Sequence, residues 1–324
     1  MKRIVLLVVV VALLPACNKK KEWTKVSLSG AERVPTIAVD PKAPKTVFVG
    51  IGAASTQRGF FRTKDGGNSW TKLGGGLPND NAGMVLVSPH DGSVLVNPGV
   101  EGMWRSTDGG ETFAHASPQP GSPSWISYHP LTSTVYAVTS QQGCYRSTDN
   151  GKTWAHMGNA GVPLNRFPLG PIVSDGAKTY MGTGGQGIYV STDDGNNWVK
   201  AAGAGLPDSG AGGDAVAMLA PTPGVVYLQT AGAGLFRSND GGASFTKLPI
   251  AHTRHAALRL DPSNPQRIVV SGDDRADVGG IFESKDGGKS FAPIGPKGIA
   301  VADVAVASDG TLYIGTVGDG VYRF

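Results

Sequence analysis

An all-β ring of seven four-stranded blades is what this 324-residue sequence predicts, on three observations. An eight-residue pattern returns six times with its aspartate at positions 65, 108, 149, 193, 240 and 286, giving gaps of 43, 41, 44, 47 and 46 residues. The 48 glycines and 22 prolines mark many tight turns and interrupt any long helical period. The stretches before the first copy and after the last supply, in two unequal pieces, the strands of one more unit.

The repeated pattern reads Ser/Thr-x-Asp-x-Gly-x-Ser/Thr/Asn-Trp/Phe. Its copies run Thr63–Trp70, Ser106–Phe113, Ser147–Trp154, Ser191–Trp198, Ser238–Phe245 and Ser284–Phe291. A period in the forties is what one four-stranded propeller blade requires. Each position has a physical task. The aspartate accepts bonds from turn amides. The glycine two residues on takes positive φ, which a tight hairpin needs. The hydroxyl or amide residue bonds across the turn, and the aromatic opens the next strand and packs under it.

This motif resembles the Asp box, or BNR repeat, of sialidases, xyloglucanase-type endoglucanases, sortilin-like receptors and photosystem II assembly factors. The resemblance implies a propeller whose boxes lie between third and fourth strands, away from the ligand face. Asp65, Asp108, Asp149, Asp193, Asp240 and Asp286 are therefore read as turn builders on separate blades. No metal site and no cofactor are expected of them.

The other strands fit the same frame. A strand such as Gly59-Phe60-Phe61-Arg62 or Gly234-Leu235-Phe236-Arg237 precedes each box, and another such as Thr46–Gly50 precedes that. First strands end in turn signals at Asp40-Pro41, Ser88-Pro89, His129-Pro130 and Asp261-Pro262. After the last box, residues 303–324 hold three strands and no fourth. Trp23-Thr24-Lys25-Val26 matches Trp70-Thr71-Lys72-Leu73, the fourth strand of the first boxed blade. Strand 22–28 is thus expected to complete blade seven, which closes the ring and covers its open edges. One domain, 22–324, follows. Arg62, Arg105, Arg146 and Arg237 directly precede boxes and are read as strand arginines packed on blade surfaces or paired with carboxylates.

The N-terminus has a basic Met1-Lys2-Arg3, an apolar run from Ile4 to Leu14, then Pro15-Ala16-Cys17. Such a run is too short to span a bilayer as a helix. Leu14-Pro15-Ala16-Cys17 resembles a bacterial lipobox. That implies cleavage of residues 1–16, acylation of Cys17, a tether over 17–21, and a lipid-anchored place in the bacterial cell envelope. Without Lys2 and Arg3 the formal charge falls from +4 to +2, which does not describe a nucleic-acid partner. The other cysteine, Cys144, falls in a strand and is read as a small buried apolar residue, so no disulfide framework exists.

A ligand would meet the face opposite the boxes, formed by blade-to-blade loops at 74–83, 114–124, 156–171, 201–214 and 249–255, and by loops such as 51–59 and 272–280. Their polar and aromatic members are Asp80, Asn81, Trp125, Arg166, Asp214, His255, Asp273, Asp274 and Arg275. Asp273–Asp277 lacks the full ligand spacing of an EF-hand loop and is read as a solvated loop. Glu32-Arg33-Val34-Pro35 resembles the sialidase Arg-Ile-Pro motif, which implies a carboxylate-gripping role for Arg33. A retaining or inverting glycosidase needs two opposed carboxylates. Asp80, Asp214 and Asp303 lie near blade entries, but nothing in the sequence pairs them. The reading is a monomeric, non-catalytic propeller that binds or scaffolds an envelope protein or peptide. Glycan hydrolysis and glycan binding stand as the alternatives.

Overall fold

The computed structural model describes residues 22–26, 30–52, 55–99, 101–117, 121, 123–139, 142–158, 160–162, 169–184, 186–207, 215–250, 257–272 and 280–324. Its regular elements are strands in seven four-stranded antiparallel sheets. Each sheet is a blade. Blade 1 runs from its inner strand Thr36–Asp40 through Ala43–Ile51 and Gly59–Thr63 to the outer Thr71–Leu73. The inner strands of blades 2 to 7 are Met84–Val87, Pro123–Tyr128, Leu169–Ser174, Ala215–Thr222, Leu258–Asp261 and Val301–Val306. The seven-bladed propeller predicted from the repeats is the fold.

Blade 7 takes its outer strand from the other end of the chain. Thr24 pairs with Arg323 and Lys25 with Tyr322. The Val26 amide extends the ladder to the Val321 carbonyl at 2.9 Å. Trp23 stacks on Phe324 with ring centroids 4.9 Å apart, and its indole N–H donates to the Ile294 carbonyl at 2.8 Å. Lys25 forms an ion pair with Asp319. The ring therefore closes as strand 22–28 was expected to close it, with residues 27–29 outside the described set.

The core is seven wedges, one between each pair of neighbouring blades. Phe48, Phe60 and Leu73 of blade 1 meet Val85, Val94, Val96 and Phe113 of blade 2. Across the closure, Val26, Tyr313 and Val321 meet Ile37, Val47, Val49 and Phe61. Both faces of each blade are buried, so second strands read as unbroken apolar runs such as Val135-Tyr136-Ala137-Val138. Cys144 lies in the wedge between blades 3 and 4, as expected, and burial pushes its thiol up to about 12.

All six boxes adopt one geometry. In the first, the Thr63 hydroxyl donates to Asp65 Oδ1 at 2.7 Å and accepts the Gly67 amide at 2.9 Å. Asp65 also accepts the Ser69 amide at 2.9 Å and the Ser69 hydroxyl at 2.6 Å. The same bonds recur at Asp286 with Ser284, Gly288 and Ser290. These bonds hold the box carboxyls low, and Asp193 and Asp240 sit at about 2. Among the described residues, blade-to-blade linkers dock on three of the boxes. The Phe113, Trp198 and Phe245 amides donate to the carbonyls of Gly75, Ala160 and Ala204 at 2.7, 2.9 and 2.7 Å.

The arginines preceding four of the boxes fasten blades 1, 2, 3 and 5 each to the blade that follows. Arg62, Arg105, Arg146 and Arg237 donate to the carbonyl of the residue after the next blade's box aspartate or its equivalent, at Gly109, Asn150, Asp194 and Gly287. Arg323 does the same to Gly66 across the closure at 2.9 Å. In blade 6, where Glu283 holds this position, Arg267 pairs with Glu283 and reaches the Gly310 carbonyl of blade 7 at 2.8 Å.

Two expected loops are shorter than the sequence reading made them. Residues 114–117 and 123–128 are strands, and Trp125 sits on an inner strand rather than in a loop. Residues 155–156 and 169–174 are likewise strands at the two ends of the stretch read as 156–171. In blade 3 the strand alternates from Trp125 on, with Ile126 buried in the wedge against blade 2 and Trp125 and Ser127 flanking it, and the register shift between Pro123 and Trp125 breaks that pattern at the strand's entry.

Candidate ligand channel

The inner strands surround a cavity of about 560 Å³ that engages all seven blades. Its wall is mostly apolar. Met84, Leu86, Trp125, Tyr128, Leu219 and Leu260 are among its large side chains. Trp125, on blade 3, packs against the wedge between blades 3 and 4 and against the one between blades 5 and 6, so its indole reaches across the channel. A register shift between Pro123 and Trp125 sets this direction. Similar shifts fall at Leu169/Ile172, Ala215/Ala217 and Val301/Asp303, at the entries of three other inner strands. Such bulges re-aim a side chain next to a site.

Among the described residues of the wall, charge is confined to one pair. Arg259 of blade 6 meets Asp303 of blade 7 at 2.6 Å. Asp303 also accepts the Ile37 amide of blade 1 at 3.1 Å and the Val304 amide at 2.8 Å. One carboxylate thus ties three blades together at the closure. Burial pushes its carboxyl up, while Arg259 and the two amides pull it back. Thr36 repeats the device one blade on, accepting the Val85 amide at 3.2 Å. Each of these side chains occupies an inner-strand position opposite a glycine, Gly315 for Asp303 and Gly50 for Thr36. Among the described residues lining the cavity, Asp303 is the one carboxylate.

The predicted site residues fall into three groups. Trp125 and Asp303 line the channel. Arg33, Asp80 and Asn81 are exposed and outside its lining; Asp80 pairs with Lys72 at 2.9 Å, and the Arg33 amide donates to Ser55 at 2.9 Å. Arg166, Asp214, His255, Asp273, Asp274, Arg275 and Cys17 lie outside the described residues. Arg259 was missed. The signal for it was present, because it is the single basic residue in the seven inner strands. No group of three or more His, Cys, Asp or Glu among the described residues could hold a metal ion.

Residues 145–156, the third box with the strands beside it, match the BNR/Asp-box repeat model. The chain is a seven-bladed propeller built on Asp-box repeats. Its sequence is similar to a xyloglucanase of Hypocrea jecorina (strain QM6a), 24% identical over 164 residues, which are 38% of this chain and 20% of that protein. Its fold is similar to the GH74 xyloglucanase from Xanthomonas campestris, with a TM-score of 0.71, 19% identity, and coverage of 93% of this chain and 53% of that one. It is also similar to YCF48 bound to D1 peptide, with a TM-score of 0.65, 16% identity, and coverage of 94% and 97%. The extracellular domain of a hybrid two-component system from B. thetaiotaomicron matches at a TM-score of 0.69, with 14% identity and coverage of 93% and 39%. The chain spans about a fifth of the Hypocrea protein and about half of the xyloglucanase structure, but nearly the whole of YCF48.

Proposed function

We propose that this chain is a non-catalytic binding propeller that receives an apolar segment of a protein partner at its channel. The observation that carries the reading is the channel wall. Trp125, Met84, Leu86 and Leu219 offer apolar contact, and the wall's carboxylate is already bonded to Arg259 and two amides. Such a surface favours burial of hydrophobic side chains, with a few polar groups to set orientation. The similarity to YCF48, a propeller of about the same extent whose structure holds a peptide, supports a protein partner. The leader layout and Cys17 support a place on the bacterial envelope through a lipid anchor.

The test uses residues 22–324 with a photo-reactive phenylalanine analogue replacing Leu86. Irradiation in envelope extract should yield one dominant crosslinked protein, and Leu219→Glu, at a half-buried wall position, should abolish it. The similarity to xyloglucanases sets the competing outcome. Turnover of xyloglucan or of a sialyl conjugate that disappears in Asp303→Asn would overturn the binding reading in favour of hydrolysis.

A further inference from the structure

In five blades the residue that opens the turn after the inner strand is itself a side-chain acceptor for turn amides. Asp40 accepts the Lys42 amide at 2.9 Å, and Ser88 accepts the His90 and Asp91 amides at 3.2 and 3.3 Å. Asp175 accepts the Ala177 and Lys178 amides at 2.8 and 2.7 Å, and Asp261 accepts the Ser263 amide at 2.8 Å. In blade 3 the acceptor is a histidine. His129 Nδ1 accepts the Leu131 amide at 3.1 Å and the Thr132 amide at 3.2 Å. A hydroxyl or carboxylate accepts these bonds at neutral and mildly acidic pH. An imidazole accepts them only while Nδ1 is unprotonated.

We propose that the His129–Thr134 turn is a proton-sensitive latch on the channel, closed while the imidazole is neutral and released when it is protonated. Protonated Nδ1 faces two amide donors, so both bonds are lost together. The surroundings give the cation somewhere to go. The charged and titratable groups facing His129 are His90 from the blade 2 turn, and Asp175 and Asp194 from the blade 4 turn and box. Burial of the ring, which is 6% exposed, holds its pKa below the ordinary value. His90 acts in the same direction, and the two carboxylates oppose it.

The latch sits where movement would reach both the channel and the neighbouring blades. Tyr128 and Pro130, on either side of His129, line the cavity. His90 Nε2 bonds the His129 carbonyl at 3.0 Å, so the blade 2 turn leans on the same residue. Leu131 lies over Gly176 of blade 4, where an added Cβ would come within 2.8 Å of it. The effect on ligand capture rests on the channel reading above; the latch itself does not.

The experiment is an NMR titration of residues 22–324 from about pH 7.5 to about pH 4.5, a window centred near the ordinary imidazole value. The expected result is that the Leu131 and Thr132 amide shifts move with one midpoint, below the ordinary histidine value and shared with the His129 ring. His129→Asn keeps an acceptor and should remove the titration of both amides while leaving the rest of the spectrum in place. His90→Gln should keep it. Four results would each overturn the latch: a ring that stays neutral throughout, a ring that titrates while both amides stay still, amides that titrate as before in His129→Asn, or amides that cease to titrate in His90→Gln.

Discussion

Replacing Arg62 with alanine tests what the blade-to-blade arginines contribute. Its guanidinium donates to the Gly109 carbonyl at 2.5 Å and to Glu111 at 2.7 Å, and its side chain is 6% exposed. Three terms decide the size of the loss. A hydrogen bond involving a charged group contributes about 1.5–3 kcal/mol. The buried stem loses about two methylenes beyond Cβ, at ~0.8 kcal/mol each. The ion pair is worth ~0–1 kcal/mol, because the Glu111 side chain is 56% exposed. One term opposes these: the buried Nε–H has no acceptor among the described residues, and removing it relieves about 1 kcal/mol. Arg62→Ala is expected to cost about 3 kcal/mol, or ~6 °C of melting temperature at roughly 2 °C per kcal/mol. Arg62→Met keeps most of the stem and should cost about half as much, and Glu111→Ala less than ~1 kcal/mol. Urea midpoints and thermal melts of the three variants give the order. If Glu111→Ala costs as much as Arg62→Ala, the energy lies in the exposed ion pair and the fastening argument fails.

Further expectations follow from the turns, the boxes and the buried thiol. Gly161 has φ +89° and an added Cβ would lie 1.9 Å from the Trp198 carbonyl oxygen, so Gly161→Ala should cost more than ~2 kcal/mol, whereas Gly74→Ala, with nothing within 4 Å, should be near neutral by the same melts. The box carboxyls are bonded as carboxylates and sit below the ordinary aspartate value of about 3.9. Their contribution is therefore present above that value and lost as pH falls through the folded values, about 2 for Asp193 and Asp240. Urea midpoints should stay flat toward about pH 5 from box effects and fall below about pH 4; no fall by about pH 2.5 would contradict this. Cys144, with its thiol pushed up to about 12, should resist iodoacetamide in the folded protein and react once unfolded, as read by mass spectrometry.

The architecture was legible because local chemistry repeats. Thr63, Asp65, Gly67 and Ser69 make their bonds within one turn, so the residue types alone specify the box. The closing strand was legible because Trp23-Thr24-Lys25 copies the phrase at Trp70. The channel was harder to see. Its wall is made by one strand from each blade, and what each side chain meets belongs to a blade some 40 residues away, as with Arg259 and Asp303 at a separation of 44. Trp125 was singled out but placed in a loop, since a bulge beside it breaks the alternation that would have marked the strand. Sequence alone places the arginines on blade surfaces or beside carboxylates. Their reach to the next blade's carbonyls depends on inter-blade register, which no single repeat encodes.

The outer strand of blade 7 has a consequence for how the molecule is made. Thr24 and Lys25 are synthesised long before their partners Arg323 and Tyr322. Until then a nascent arc of blades presents Ile37, Val49 and Phe61 at one end with no blade to cover them. Two such arcs side by side could each accept the other's final blade. Slow or interrupted synthesis would therefore favour strand-exchanged pairs of copies over aggregates of no fixed form. The ring's own cooperativity guards against this only once blade 7 is complete.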